Sequence, residues 1–304
     1  MKKTTLLALL FVLSSSAASI AADIGAVSND APVEIFADKT LEWDRAKKTY
    51  TARGNAVARQ GGMQVKSNTL TAHYAEGDSK AAGATAGMGA EITKLSADGT
   101  VEISSPPYTA HGDTAVYDIT TGIATLTGSD LKIETPSENL TAQSRIEFDT
   151  AKNRLSAVGD ATAVRGTDSL KSDKLDAFFK PGADGKIALD RILADNAVTI
   201  KTARETVTGD SGIYDVTAGK ATLRGRVRIL QGENWLEGTR AEIDLKTGIS
   251  KLFADGKALP GRTSLIVDGV ERAPIAPVGD GRVRGVFYPK KKTPDAAAPE
   301  TAKP

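Results

Sequence analysis

Few residues of this chain could carry out chemistry. Among its 304 residues it has two histidines, His73 and His111, and no cysteine. Catalysis needs groups that titrate near neutral pH or act as nucleophiles, and two isolated histidines give little basis for either. His111 precedes Gly112-Asp113, which suggests an acid-base or metal site, but the equivalent position of a sister repeat is Thr208. We therefore expect His111 to be a surface residue, and we predict no catalytic residue and no enzymatic activity.

The aspartates and glycines also lack the spacing of a metal or phosphate site. The recurring aspartates are tens of residues apart, without the clustering of a calcium-binding loop. Gly83, Gly87 and Gly89 form a glycine-rich stretch, but the Lys-Ser or Lys-Thr pair of a phosphate-binding loop does not follow. This stretch is expected to be a hairpin loop, and no metal ligand or cofactor is predicted.

One repeated stretch organises the chain. HGDTAVYDITTGIATLTG, residues 111–128, returns 97 residues later as TGDSGIYDVTAGKATLRG, residues 208–225, with ten of eighteen positions identical. In it an Asp is followed by Gly or Asn four residues on and by another Gly ten residues on. Related spacing recurs at five aspartates: Asp44, Asp118, Asp149, Asp215 and Asp244.

This spacing predicts a hairpin. Asp accepts hydrogen bonds from backbone amides two residues on and so begins a turn, while Gly or Asn tolerates the positive φ that closes a short loop. Flanking residues alternate between apolar and polar, as in half-buried strands. The unit is two strands in roughly 30 residues, repeated about seven times. The prediction is an all-β fold of stacked antiparallel hairpin repeats.

The ends of the chain differ in composition from this array. Residues 1–22 combine Lys2 and Lys3 with a short apolar run and small residues, which predicts a cleaved secretory signal peptide. The run is shorter than the roughly 20 residues of a spanning helix, so cleavage is favoured over a retained anchor. The array divides into a first half at 32–135 and a second half at 136–260. A C-terminal segment with a last strand follows at 261–290, and 291–304 is a tail predicted to be disordered.

Charge excludes one class of partner. The chain has 39 basic and 38 acidic residues, so removal of Lys2 and Lys3 leaves it close to neutral. Such a balance lacks the positive surface that binds nucleic acid. An exported protein without cysteine must be stabilised by strand pairing and apolar burial.

The inward-facing series is small and aliphatic, with one larger ring per hairpin. Stacked hairpins with one apolar face each form a continuous apolar strip, which is either a filled core or a groove for acyl chains. Periodicity leaves both possibilities open. The groove candidates are Trp43, Leu70, Tyr74, Tyr117, Leu126, Phe148, Leu155, Phe179, Tyr214, Leu223 and Ile243.

The ordered repetition resembles a known family. The motifs LTAHY, AVYDITTGIATLTG and RIEFDTAKNRLSAVG, with GRVRGVFYPKKK near the end, are similar to those of the LptA/OstA family of periplasmic lipopolysaccharide transport proteins. The likeness covers about residues 32 to 290.

The resemblance implies a twisted, open β-jellyroll of the OstA-like type, whose apolar interior carries the acyl chains of lipid A. It also implies a periplasmic location and self-association through edge strands. The resulting bridge would join an LptC-like inner-membrane component to an LptD-like outer-membrane translocon. Two alternatives stay open: a membrane-anchored LptC-like component of the same system, and a structural β-repeat protein without a ligand.

Overall fold

The structure of the protein is a computed structural model that describes residues 33–75, 91–181, 187–244, 246–247, 249–254, 265–267, 270–272 and 282–288. The predicted signal peptide, the tail predicted to be disordered and the glycine-rich loop that contains Gly83 lie outside the described residues. No helix occurs within these ranges, and so none that could cross a membrane.

Eighteen strands form one antiparallel sheet, and two more form a separate pair. The strands of the first half are β1 (Glu34–Phe36), β2 (Thr40–Asp44), β3 (Thr49–Gln60), β4 (Met63–Ala75), β5 (Glu91–Ser105), β6 (Tyr108–Asp118), β7 (Ile123–Thr127) and β8 (Leu131–Glu134). Those that follow are β9 (Glu138–Ala142), β10 (Arg145–Asp149), β11 (Arg154–Arg165), β12 (Asp168–Pro181), β13 (Ile187–Lys201), β14 (Thr206–Asp215), β15 (Lys220–Gln231), β16 (Asn234–Asp244) and β17 (Ile249–Phe253). The last three are β18 (Leu265–Val267) and β19 (Val270–Arg272), which pair with each other, and β20 (Arg284–Val286), which joins the large sheet.

The sheet follows the chain order. Each long strand from β3 to β6 and from β11 to β16 pairs with the strand before and after it. Four positions are each shared by two short strands: β1 with β2, β7 with β8, β9 with β10, and β17 with β20. The eighteen strands therefore occupy fourteen positions. The pairing of β8 with β9 carries the sheet across residue 135 without a break.

The recurring aspartates form the hairpin turns that the sequence predicts, with one difference. The side chain of Asp118 accepts a hydrogen bond from the amide of Thr121, and Asp149 accepts one from Lys152, at 2.9 and 3.0 Å. Both amides lie three residues on, one further than expected. These amides stabilise the charged carboxylate, so the backbone bond to Thr121 lowers the pKa of Asp118. Four residues after the aspartates φ is positive at Gly122, Asn153 and Gly219, as predicted, and also at Lys48.

A line of bends crosses the sheet, and in β3, β11 and β15 it lies at the glycines ten residues after the aspartates. The pairing register shifts at Gly54 in β3 and at Gly159 in β11, where φ is 83° and 87°. Further shifts occur in β5, β13 and β15. Irregularities of this kind bend a strand sharply. They divide each strand position into a part next to the Asp turns and a part beyond the bend.

Both parts of the bent sheet face one apolar core. Ala97 and Val101 lie on either side of one bend, and Ala194 and Val198 lie on either side of another; all four are buried in the same cluster. A sheet that bends along one line and packs its two parts around a common core is the arrangement expected of an open jellyroll. The prediction of an all-β fold of stacked antiparallel hairpins is confirmed.

Candidate functional site

The cross-strand registers align the inward residues into rows that run through all fourteen positions. The hairpin row lies near the Asp turns and consists of Trp43, Tyr50, Ala72, Leu95, Tyr117, Ala124, Phe148, Leu155, Ala177, Ile192, Tyr214, Ala221, Ile243 and Ser250. Because side chains on one face of neighbouring strands contact each other, the row forms a continuous strip.

A second row, the bend row, lies between the hairpin row and the bends. It combines large aliphatic side chains with alanines and one glycine. Its members are Leu41, Ala52, Leu70, Ala97, Ala115, Leu126, Ile146, Ala157, Leu175, Ala194, Gly212, Leu223, Ala241 and Leu252.

A third row, the far row, lies beyond the bends and supplies the opposite wall of the interior. It consists of Ile35, Ala58, Val65, Ile103, Ala110, Ile133, Leu140, Ala163, Leu170, Ile200, Val207, Ile229, Leu236 and Gly285. No residue of the three rows is charged.

All eleven candidates from the sequence face this interior on the side of the Asp turns. Six belong to the hairpin row, and Leu70, Leu126 and Leu223 belong to the bend row. Tyr74 and Phe179 lie one inward position beyond the hairpin row, paired with Ile92 and Leu189. Most of the eleven are buried. The exceptions are Leu70 and Tyr117, which are half-buried, and Trp43 at the edge, which is 38 % exposed.

The sequence candidates omit the far row. Its residues alternate with polar ones, as in TVEIS at 100–104 and NAVTI at 196–200, so the signal for an inward face was present. The missing information was the bend itself, because it turns this face back toward the candidates and makes it the second wall.

The N-terminal end of the interior carries an aromatic stack. Trp43 stacks on Tyr50 with ring centroids 5.7 Å apart, and Tyr50 lies 5.1 Å from Tyr74. The indole Nε1 of Trp43 donates a hydrogen bond of 2.9 Å to the Tyr74 hydroxyl, and the Arg45 guanidinium lies over the indole. The three rings therefore form one rigid unit at this end of the hairpin row.

Several charged groups next to the three rows lie on the opposite, outer face of the sheet. Lys66 and Glu102 form an ion pair of 2.8 Å there, and His111 Nε2 lies 3.3 Å from Glu134. Burial raises the pKa of the Tyr214 phenol, which belongs to the inner face. In the part of the chain that the structure describes, no cluster of three or more His, Asp or Glu could hold a metal ion.

Exposed large apolar side chains occur at both ends of the sheet. At the first edge Leu41 in β2 is 66 % exposed, and Ile35 and Phe36 in β1 are also exposed. At the last edge Ile249 in β17 is 55 % exposed, and Phe287 and Tyr288 follow β20. The outer sides of these edge strands have no partner strand among the described residues.

Comparisons with known proteins identify the family. A family model described as "LptA/(LptD N-terminal domain) LPS transport protein" matches the chain twice, over residues 34–154 and 139–249. An uncharacterized protein of Rhizobium meliloti (strain 1021) is 27 % identical over 133 residues, which are 42 % of this chain and 69 % of the relative.

A solved structure is also similar in part. It is LptH of Pseudomonas aeruginosa, described as the LptA-homologous periplasmic component of the conserved lipopolysaccharide transport device. The alignment has 14 % identity and covers 85 % of this chain and 96 % of LptH. The TM-score is 0.19.

The family model covers more than half of the chain, and its description is of transport and not of catalysis. This agrees with the prediction of a protein without enzymatic activity. The chain belongs to the LptA/LptD N-terminal domain family of lipopolysaccharide transport proteins.

Proposed function

We propose that the chain is a periplasmic carrier that holds the acyl chains of lipopolysaccharide against its three inner rows. The observation that carries the proposal is the register: uncharged rows continue through all fourteen strand positions on both sides of the bends. Each methylene moved from water to such a surface contributes about 0.8 kcal/mol. A ligand with several acyl chains can therefore bind without a directed polar contact.

A charge on the inner face tests this proposal. Ala115→Asp places a carboxylate in the bend row, half-buried between Ala97 and Leu126. An unpaired charge against acyl chains is strongly unfavourable, so we expect affinity for purified lipopolysaccharide to fall at least about tenfold. The affinity is measured by titration of the folded protein with lipopolysaccharide.

The neighbouring residue supplies the control. Val116 pairs with Ser96 and Thr125 on the outer face, so Val116→Asp should leave the affinity unchanged. The melting temperature of both variants shows whether they are folded. Failure of the unmodified protein to bind or co-purify with lipopolysaccharide would refute the carrier proposal and favour a structural repeat protein. Equal losses in the two variants would show that the inner face is not the site.

The exposed edges support a head-to-tail bridge between copies of the chain. Because the sheet has an even number of positions, β17 of one copy can pair antiparallel with β2 of the next. The register that continues the inner rows places Leu252 opposite Leu41 and Ser250 opposite Trp43. It also places Lys251 opposite Glu42 on the outer face, which joins opposite charges. Unpaired edge strands readily accept another strand in this way.

Disulfide trapping tests this register. The natural chain has no cysteine, so Glu42→Cys and Lys251→Cys can be made separately and mixed. Directly opposite residues have the separation that a disulfide requires, so we expect a crosslinked dimer in the mixture and not in either variant alone. Phe253→Cys, two residues along the same face, is the off-register control. Crosslinking of Glu42→Cys to Phe253→Cys as efficient as to Lys251→Cys would contradict the register.

The two ends of such a bridge would contact different membrane components. We propose that one end contacts an LptC-like inner-membrane component and the other an LptD-like outer-membrane translocon, through the same strand pairing. The predicted signal peptide at 1–22 would deliver the chain to the periplasm. Amino-terminal sequencing of the purified protein distinguishes this cleaved form from a membrane-anchored one, which would keep Lys2 and Lys3.

A further inference from the structure

The two copies of the repeat place similar residues at equivalent positions but bury them to different degrees. Tyr117 and Tyr214 are equivalent residues of β6 and β14; Tyr117 is half-buried, whereas Tyr214 is buried. In the far row Ile103 is half-buried and its equivalent Ile200 is only 5 % exposed, whereas Ile133 is buried and its equivalent Ile229 is half-buried. The half-buried residues of the first copy whose equivalents are buried are Tyr50, Leu70, Ile103, Ala110, Tyr117 and Ala124.

Leu95 is the clearest case. It faces inward in the hairpin row, between Ala72 and Tyr117, yet it is 41 % exposed. Its equivalent in the second copy, Ile192, is half-buried between Ala177 and Tyr214. An inward leucine in the middle of an apolar row is therefore open to solvent in the first copy.

For β6 and β7, proximity to an end of the sheet does not explain the difference, whereas β3, β4 and β5 lie closer to an end than their equivalents. β6 and β7 occupy the fifth and sixth of the fourteen positions, near the middle. Their equivalents β14 and β15 occupy the eleventh and twelfth positions, which are closer to an end. Strands near an end have fewer neighbours and should be the more exposed, but here they are the more buried. The greater exposure of Ala110, Tyr117 and Ala124 is thus a property of the first copy.

We infer that the acyl chains of lipopolysaccharide occupy the inner face of β3–β7, and that the second copy is filled by its own side chains. The inference rests on the proposed carrier function and assigns the binding site within it. One chain then has one lipid site in its first copy, while the second copy serves as a rigid extension toward the partner.

The lining of the open face suits acyl chains. Ala115 of the bend row is small and half-buried, and the neighbouring Leu95 and Tyr117 of the hairpin row give the face apolar side chains. Exposed apolar surface on one contiguous face is characteristic of a binding groove. No charged group of these rows would need to be desolvated when the chains enter.

Photocrosslinking at equivalent positions tests the assignment. A photoreactive phenylalanine analogue is placed at Leu95 or at Ile103 in the full chain, and at the equivalents Ile192 or Ile200 as matched controls. Purified lipopolysaccharide is the probe, and vesicles of phosphatidylethanolamine and phosphatidylglycerol form a second arm. We expect at least about fivefold more lipopolysaccharide adduct at the first-copy positions, and little phospholipid adduct.

A substitution with a milder effect on folding provides the second measurement. Leu95→Gln changes an exposed residue and should weaken lipopolysaccharide binding about fivefold at an unchanged melting temperature. Ile213→Gln, at an exposed apolar residue on the outer face of β14, should leave the affinity unchanged as long as the protein is folded.

Each result has one meaning. Equal adducts at equivalent positions, more adduct in the second copy, equal phospholipid adduct, or protein dimers as the main product at Leu95 would overturn the inference. If lipopolysaccharide binds but one of these results is found, the site assignment is wrong and the proposed carrier function still stands. No binding of lipopolysaccharide at all would instead refute the carrier function.

Discussion

Replacing Gly128 with alanine is expected to lower the free energy of unfolding by about 3 kcal/mol. Gly128 separates β7 from β8 at the line of bends, and its φ of 145° is a conformation that residues with a side chain rarely adopt. An added Cβ would also overlap the backbone nitrogen of Asp113 on the neighbouring strand. Backbone cannot move aside as a flexible side chain can, so both effects remain in the folded state.

The bend at Gly128 also positions two hydrogen bonds between Asp113 and Ser129. The carboxylate of Asp113 accepts hydrogen bonds from the amide and the hydroxyl of Ser129, at 2.8 and 3.1 Å. Displacement of the Asp113 backbone would weaken both bonds. Backbone strain and the weakened hydrogen bonds therefore both lower the free energy of unfolding.

Urea denaturation followed by circular dichroism measures the effect. Gly62→Ala is the matched control, because Gly62 has no positive φ and an added Cβ would meet nothing within 4 Å. That variant should stay within about 0.5 kcal/mol of the natural protein. A loss below about 1 kcal/mol for Gly128→Ala would show that the bend tolerates a side chain and is not a fixed feature of the fold.

The turns could be predicted from the sequence because their signal is local. Asp118 and Gly122 are four residues apart, and their preferences determine the turn between them whatever the rest of the chain does. The glycine ten residues after the aspartate was equally visible, but its role could not be derived. A register shift involves two strands, and a single sequence does not state which residue of the next strand lies opposite.

The candidate site was predicted only in part, because the sequence signal is again local to each strand. Alternation of apolar and polar residues gives the inward face of a strand, so residues such as Phe148 and Leu223 were correctly placed toward the interior. Their role in lipid binding stays a prediction. Alternation does not state which inward faces meet, so the far row with Ile103 and Ile200 was omitted. The unequal burial of equivalent residues could not be predicted either, because the two copies have nearly the same pattern.

Truncation of Leu175 is expected to cost about 3 kcal/mol of stability, whereas the same change at Leu70 should cost about half as much. The two leucines are equivalent residues of the bend row with matching neighbours. Leu175 lies between Ala157 and Ala194, and Leu70 lies between Ala52 and Ala97. Leu175 is buried and Leu70 is half-buried, so Leu175→Ala returns more apolar surface to water and leaves a closed cavity.

Denaturation of the two variants without lipid measures this difference, and each serves as the control for the other. Addition of lipopolysaccharide should then stabilise the two variants to different extents. A ligand that binds only the folded state adds its binding free energy to stability. If acyl chains occupy the first copy, Leu70→Ala should lose part of the stabilisation that lipopolysaccharide gives the natural protein, and Leu175→Ala should retain it. Equal costs without lipid would show that Leu70 is as well packed as Leu175, and the first copy would then have no open face to fill.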